Sequence, residues 1–226
     1  MSETGVFDKF KEATVSPVLE LCRLIPDSIL FGSIVLYFLT QNIAFGIFGI
    51  FIVETVFSHR LISWLYTQSV GPSRSMTADT IKCHAGFRTP QWKVDRMFSH
   101  DNYPSYSIFS ITSIGTYLYL ATSEFSSTLK AMGSQWESRQ MVASSLLALV
   151  LVCFVLVRWS AGCESWAEMG IAMIFAVIVG IVFFFINKNL FGVEGMNFLG
   201  LPYLVSKESK ESPIYICAAD TSQQKN

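Results

Sequence analysis

Four runs of the chain, 28–53, 102–123, 140–157 and 169–187, contain no Asp, Glu, Lys or Arg. At about 1.5 Å of rise per residue, roughly 20 apolar residues cross a hydrocarbon core about 30 Å thick, so each run is long enough to span a bilayer. The pattern predicts an all-α, polytopic membrane helix bundle with four or five transmembrane helices. The last three runs are bounded by charge, at Asp101 and Glu124, Arg139 and Arg158, and Glu168 and Lys188, which predicts helices over 105–123, 141–157 and 169–187. The latter two are apolar on every face, as helices between lipid and neighbours are. Gly170, Ala172, Ala176 and Gly180 supply small residues at helical spacing, where another backbone can approach closely.

The first run has two readings. Its 26 residues make about 39 Å of helix, more than one upright span requires and too little for two. Pro26 followed by Asp27 resembles a helix start and favours a single helix. The polar tripeptide Thr40-Gln41-Asn42 equally suits the turn of a hairpin with arms reaching about Ser16 and Tyr66. In that version Glu20, Arg23, Asp27, Glu54, His59 and Arg60 extend toward one interface. Segment 28–66 is therefore one membrane helix or a hairpin. Ahead of it, 1–27 alternates apolar and charged residues in the manner of an interfacial helix, or of a solvated tail around Pro17. After the last span, 188–226 is broken by Gly192, Gly195, Gly200 and Pro202, which predicts an irregular surface segment followed by a polar tail.

Composition narrows the class. With 226 residues, 51% of them hydrophobic, the chain forms one membrane domain over 1–226 with no room for a second soluble one. A net charge of -1 offers no clustered basic field for phosphates, so nucleic acid is not an expected partner. The N-terminal MSETGVFDKFKEA lacks the apolar core of a cleavable signal peptide, which leaves insertion to the internal helices. Five cysteines at 22, 83, 153, 163 and 217 contain no C-x-x-C pair and read as free thiols; no N-x-S/T triplet occurs. Lys and Arg divide nine to seven across the membrane for a single first helix, or ten to six for a hairpin, and neither split fixes orientation.

The connection from 54 to 104, with its extramembrane loop at 67–104, holds all three histidines, His59, His84 and His100, and six of the sixteen basic residues. The histidines stand 25 and 16 residues apart, without H-x-x-x-H or H-E-x-x-H spacing, so no metal and no cofactor is expected. Trp92, Phe98 and Tyr103 are the aromatic residues expected to meet a partner.

Two resemblances attach to this region. The string from Lys82 through Cys83, Gly86, Phe87 and Arg88 to Pro90, followed by Phe98-Ser99 and then Pro104-Ser105-Tyr106 opening a Ser-rich helix, resembles small multispan membrane proteins of nucleocytoplasmic large DNA viruses. It covers about a quarter of the chain. The resemblance implies a structural protein of the internal virion membrane, acting beneath the capsid, whose partners are the lipid bilayer and other viral capsid or membrane proteins.

The same residues are similar, in degenerate form, to the type-2 phosphatidic acid phosphatases. Lys82 and Arg88, Pro104-Ser105, and Ser138-Arg139 keep that family's order. Ser107 stands where its acid histidine belongs, Ser145 where its nucleophilic histidine belongs, and Leu149 in place of the orienting Asp. Phosphohistidine chemistry lacks its nucleophile, so no catalytic residue is assigned. What this resemblance implies is an anion site for a lipid headgroup at Lys82, Arg88 and Arg139. A lipid phosphatase or headgroup transferase using His84 or His100 beside Arg88 and Arg139 is the enzymatic alternative.

Overall fold

The structure, a computed structural model, describes residues 24–25, 27–70, 103–132 and 134–198, and every regular element among them is helical. In chain order they are α1 (Asp27–Thr40), α2 (Ile43–Val70), α3 (Tyr106–Glu124), α4 (Ser126–Met132), α5 (Ser134–Ser160) and α6 (Trp166–Phe191), followed by a 3-10 turn at Glu194–Met196. Three helices are long and apolar enough to cross a bilayer: Ile43–Ser69, Ser138–Ser160 and Trp166–Phe191. They are compatible with an integral membrane protein.

The first uncharged run is two helices that double back at the polar tripeptide. Thr40 Oγ1 donates to the Leu36 carbonyl at 2.6 Å, the Gln41 amide closes onto Tyr37, and Gln41 itself adopts a left-handed φ of 53°. Asn42 then caps α2, its Oδ1 accepting from the Ala44 amide at 3.0 Å. The arms approach closely at two glycines: a methyl group at Gly46 would lie 3.2 Å from the Tyr37 ring, and one at Gly49 would lie 3.4 Å from Ser33 Oγ. The pairing of 37 with 46 and 33 with 49 makes the arms antiparallel. Leu24 and Ile25 are helical, and α1 starts at Asp27.

α3 is the axis of the bundle. Its residues from Tyr106 to Ile114 are buried on all sides, against α2, α5 and α6 and, through Ile25 and Ile29, the segment leading into α1. This explains why α3, about 28 Å long, carries so many hydroxyls. Sheltered from lipid, it can keep Ser107, Ser110, Thr112, Ser113 and Thr116, several of which bond back to its own carbonyls, as Ser110 Oγ does to Ser107 and Thr116 Oγ1 to Thr112.

α3 and α6 run parallel and touch most closely at Gly180, where an added methyl would sit 2.9 Å from both the Ser113 carbonyl oxygen and Thr116 Cβ. Ala172, Ala176 and Gly180, spaced four apart, lie on the buried stripe of α6 with Met169, Phe184 and Asn187. Gly170, expected in the same role, has nothing within contact range. Ile174, Ile178, Val182 and Phe185 are exposed on the opposite face, as are Leu146, Leu149, Val152 and Leu156 on α5.

Where α2, α3 and α6 meet near the Asn42 end, Phe51 stacks on Tyr117 at 4.0 Å with Phe48, Phe184 and Phe198 around them. Met196 of the 3-10 turn is fully buried in this cluster, and Asn42 Nδ2 donates to the Asn197 carbonyl at 3.0 Å. The segment after α6, expected at the surface, therefore turns inward at Gly195 and Met196. The predicted loop begins later than expected, since α2 continues to Val70.

Two outcomes follow. Gly180→Leu should destabilise the protein by about 1–3 kcal/mol through overpacking, with Gly170→Leu near neutral, read by thermal unfolding in detergent. In reconstituted vesicles, cysteines placed at Gln41, Ser127 and Leu190 should react with an impermeant thiol reagent from one side, and a cysteine at Glu168 from the other.

Candidate functional site

The end of the bundle opposite the α1–α2 turn collects buried polar groups from α2, α3 and the α5–α6 connection. Ser105 is the N-cap of α3, its Oγ accepting from the Ile108 amide while donating to Glu164 Oε1. The same carboxylate oxygen accepts from Arg158 Nε at 3.1 Å and Nη2 at 2.6 Å. Both side chains are sequestered, Arg158 4% and Glu164 11% exposed. Glu164 Oε2 is buried without a hydrogen-bond partner among the described residues. The turn between α5 and α6 reverses at Gly162, with φ of 69°, and α6 restarts in a capping box: Ser165 Oγ accepts from the Glu168 amide and Glu168 Oε2 from the Ser165 amide.

From α2 comes a second fastening. Thr55, His59 and Ser63, four residues apart, continue the buried stripe that Ala44, Phe48 and Phe51 begin. His59 is fully buried, and its Nε2–H donates to the Pro104 carbonyl at 2.5 Å. A carbonyl only accepts, so the proton is on Nε2. The rings of Tyr106 and Phe109 flank the imidazole at 5.1 and 5.2 Å, and Asp27 and Arg60 lie within electrostatic reach of Tyr106. Tyr103 packs on Tyr66 with ring centroids 4.0 Å apart, and burial raises its phenol above the ordinary value, with Tyr66 and Glu168 adding to the shift.

Chemically, this is an arrangement for holding helices together. The positive charge of Arg158 is matched by Glu164, the Ser105 hydroxyl is directed at a carboxylate, and the His59 proton at a main-chain oxygen. Among the described residues no group of three or more His, Cys, Asp or Glu converges as metal ligands do. Cys163, beside Glu164, is disulfide-bonded, which corrects the reading of five free thiols; Cys153 on α5 is free and exposed.

Lys82, Arg88, Trp92 and Phe98, with His84 and His100, lie outside the described residues. Tyr103, expected at a partner, meets Tyr66 of its own chain. Arg139 is exposed near the start of α5. The two helix starts of the phosphatase-like order stand at opposite ends of the bundle, because α3 and α5 are antiparallel: Gln140 Nε2 donates to the Thr122 carbonyl at 3.4 Å, whereas Ser105 meets Glu164. The length of α3, about 28 Å, separates them. Ser107 is buried, while Ser145 and Leu149 are exposed on α5.

Of the groups that do converge, the sequence marks Ser105 and Arg158 as helix boundaries. Arg158 marked the end of one run, and His59 was expected to reach toward the interface. The available signal was the pairing of Arg158 and Glu164 across a six-residue connection containing Gly162, opposite a serine that opens a helix.

No protein-family model, no curated protein and no solved structure matches this chain.

Removing one partner of the sequestered ion pair should be costly: Glu164→Ala is expected to lower stability by about 3–5 kcal/mol, since it takes away the carboxylate that accepts two hydrogen bonds from a buried guanidinium. The double substitution Arg158→Leu with Glu164→Leu should recover most of that loss in detergent unfolding.

Proposed function

We propose that the protein is a structural integral membrane protein of a large DNA virus that anchors and organises the internal virion membrane beneath the capsid. The observation that carries the structural role is the division of the bundle. α5 and α6 turn apolar side chains outward along their length, while inside the bundle His59 bonds to the Pro104 carbonyl and Arg158 to the Glu164 carboxylate. Such a surface suits permanent residence in lipid, where backbone and side-chain polar groups must find partners internally.

In this reading α3 is a fourth membrane helix, shielded by its neighbours, and α1, about 21 Å long, enters the bilayer beside α2. The viral assignment rests on the likeness of the 82–107 segment. The segment's aromatic residues Trp92 and Phe98 are the proposed contacts to capsid or other membrane proteins. The phosphatase-like alternative draws no support from the bundle, since Ser105 and Arg139 do not share an end.

The test is fractionation of purified, protease-treated virions. The protein should remain with the membrane-bounded core and crosslink through residues 70–100 to capsid or membrane proteins. Recovery exclusively in host membranes would overturn the proposal.

A further inference from the structure

Midway along α2, Glu54 stands about 16 Å in from Ile43, and among the described residues no cation is paired with it. Asn187 of α6 is its partner, donating from Nδ2 to Glu54 Oε2 at 3.1 Å. The nearest candidate cation, Lys188, is the next residue, but its Nζ is directed to Glu124 of α3 at 2.6 Å. From α3, the group facing the pair is Tyr117, fully buried, whose hydroxyl is in hydrogen-bond contact with the Asn187 side chain and donates to Met196 Sδ at 3.4 Å. His59 and Arg60 of α2 lie more than a helical turn away, with His59 bonded to Pro104. Asn187 is 0% exposed, and its Oδ1 has no hydrogen-bond partner among the described residues.

An ionised carboxylate without a cation is costly in such surroundings, and so is an orphaned amide oxygen. One proton resolves both. A neutral carboxylic acid and a primary amide form two reciprocal hydrogen bonds: amide N–H to acid oxygen, which is present, and acid O–H to amide oxygen, which Asn187 Oδ1 stands ready to accept. We propose that Glu54 and Asn187 form a proton-binding site joining α2 to α6, occupied at neutral pH by a proton taken from bulk water. The site stands apart from the role proposed above and is tested without reference to virions.

The occupied site stabilises the folded bundle. That contribution is full only in acid, where the carboxyl of the unfolded chain is protonated too, and it is lost progressively as pH rises through the folded-state titration.

Infrared spectroscopy of the full chain in lipid nanodiscs tests the site directly. The wild type should show a protonated-carboxyl stretching band at neutral pH that Glu54→Gln abolishes. Raising the pH should remove the band and lower the wild-type melting temperature by about 2–4 °C, while Glu54→Gln, which keeps an uncharged partner for Asn187, shows no such fall. Should Glu54→Gln fail to fold, Glu54→Asp assigns the band by shifting it. A neutral-pH spectrum without such a band, or with a band unmoved by substitution at 54, overturns the proposal.

Discussion

The contact between Gly180 and the backbone of Ser113 sets the distance between α3 and α6, and the rest of the bundle is arranged around that distance. Lipid offers no solvent-driven attraction between apolar helices, so association depends on close packing and on polar contacts between them. A stripe of Ala172, Ala176 and Gly180 lets two parallel helices approach closely enough for hydroxyls, carbonyls and Cα groups to pack without intervening side-chain bulk. Once α3 and α6 are joined, the connections fix the remaining neighbours. α5 must return antiparallel to both, packed on α3, and α2 closes the other side through Phe51 and Tyr117.

The interior is divided along its length. Near the α1–α2 turn it is aromatic, with Phe48, Phe51, Tyr117 and Phe184 in mutual contact. Toward the other end it becomes polar, with Thr55, His59 and Ser63 on α2 opposite the serine-rich start of α3. Each half resists a different error. The aromatic half tolerates small shifts because its contacts are numerous and individually weak. The polar half does not, since a slip of one residue would leave Arg158, Glu164 or His59 buried without a partner. Register is therefore carried by a few directional contacts at one end, and bulk cohesion by the other.

Much of the fold was legible in the charge pattern because lipid compatibility is a property of composition and length. The runs at 140–157 and 169–187 and the small-residue stripe of α6 follow from that alone. The functional residues were less legible. Lys82, Arg88 and Arg139 follow one another in a suggestive order, but linear order does not say at which end of a bundle a helix begins, and Arg139 begins α5 far from Ser105. Conversely, Arg158, Glu164 and His59 are unremarkable in sequence, since charged residues near helix ends ordinarily face water.

The sequence by itself determined that the chain is helical and apolar enough for a bilayer, and roughly where α3, α5 and α6 lie, because hydrophobic run length acts locally. Only the tertiary structure decided that α3 is central, that the first run doubles back, and that Glu54 meets Asn187 while Arg158 meets Glu164. The physical reason is that burial and pairing depend on which helix faces lie together, and helical periodicity fixes faces without fixing their neighbours.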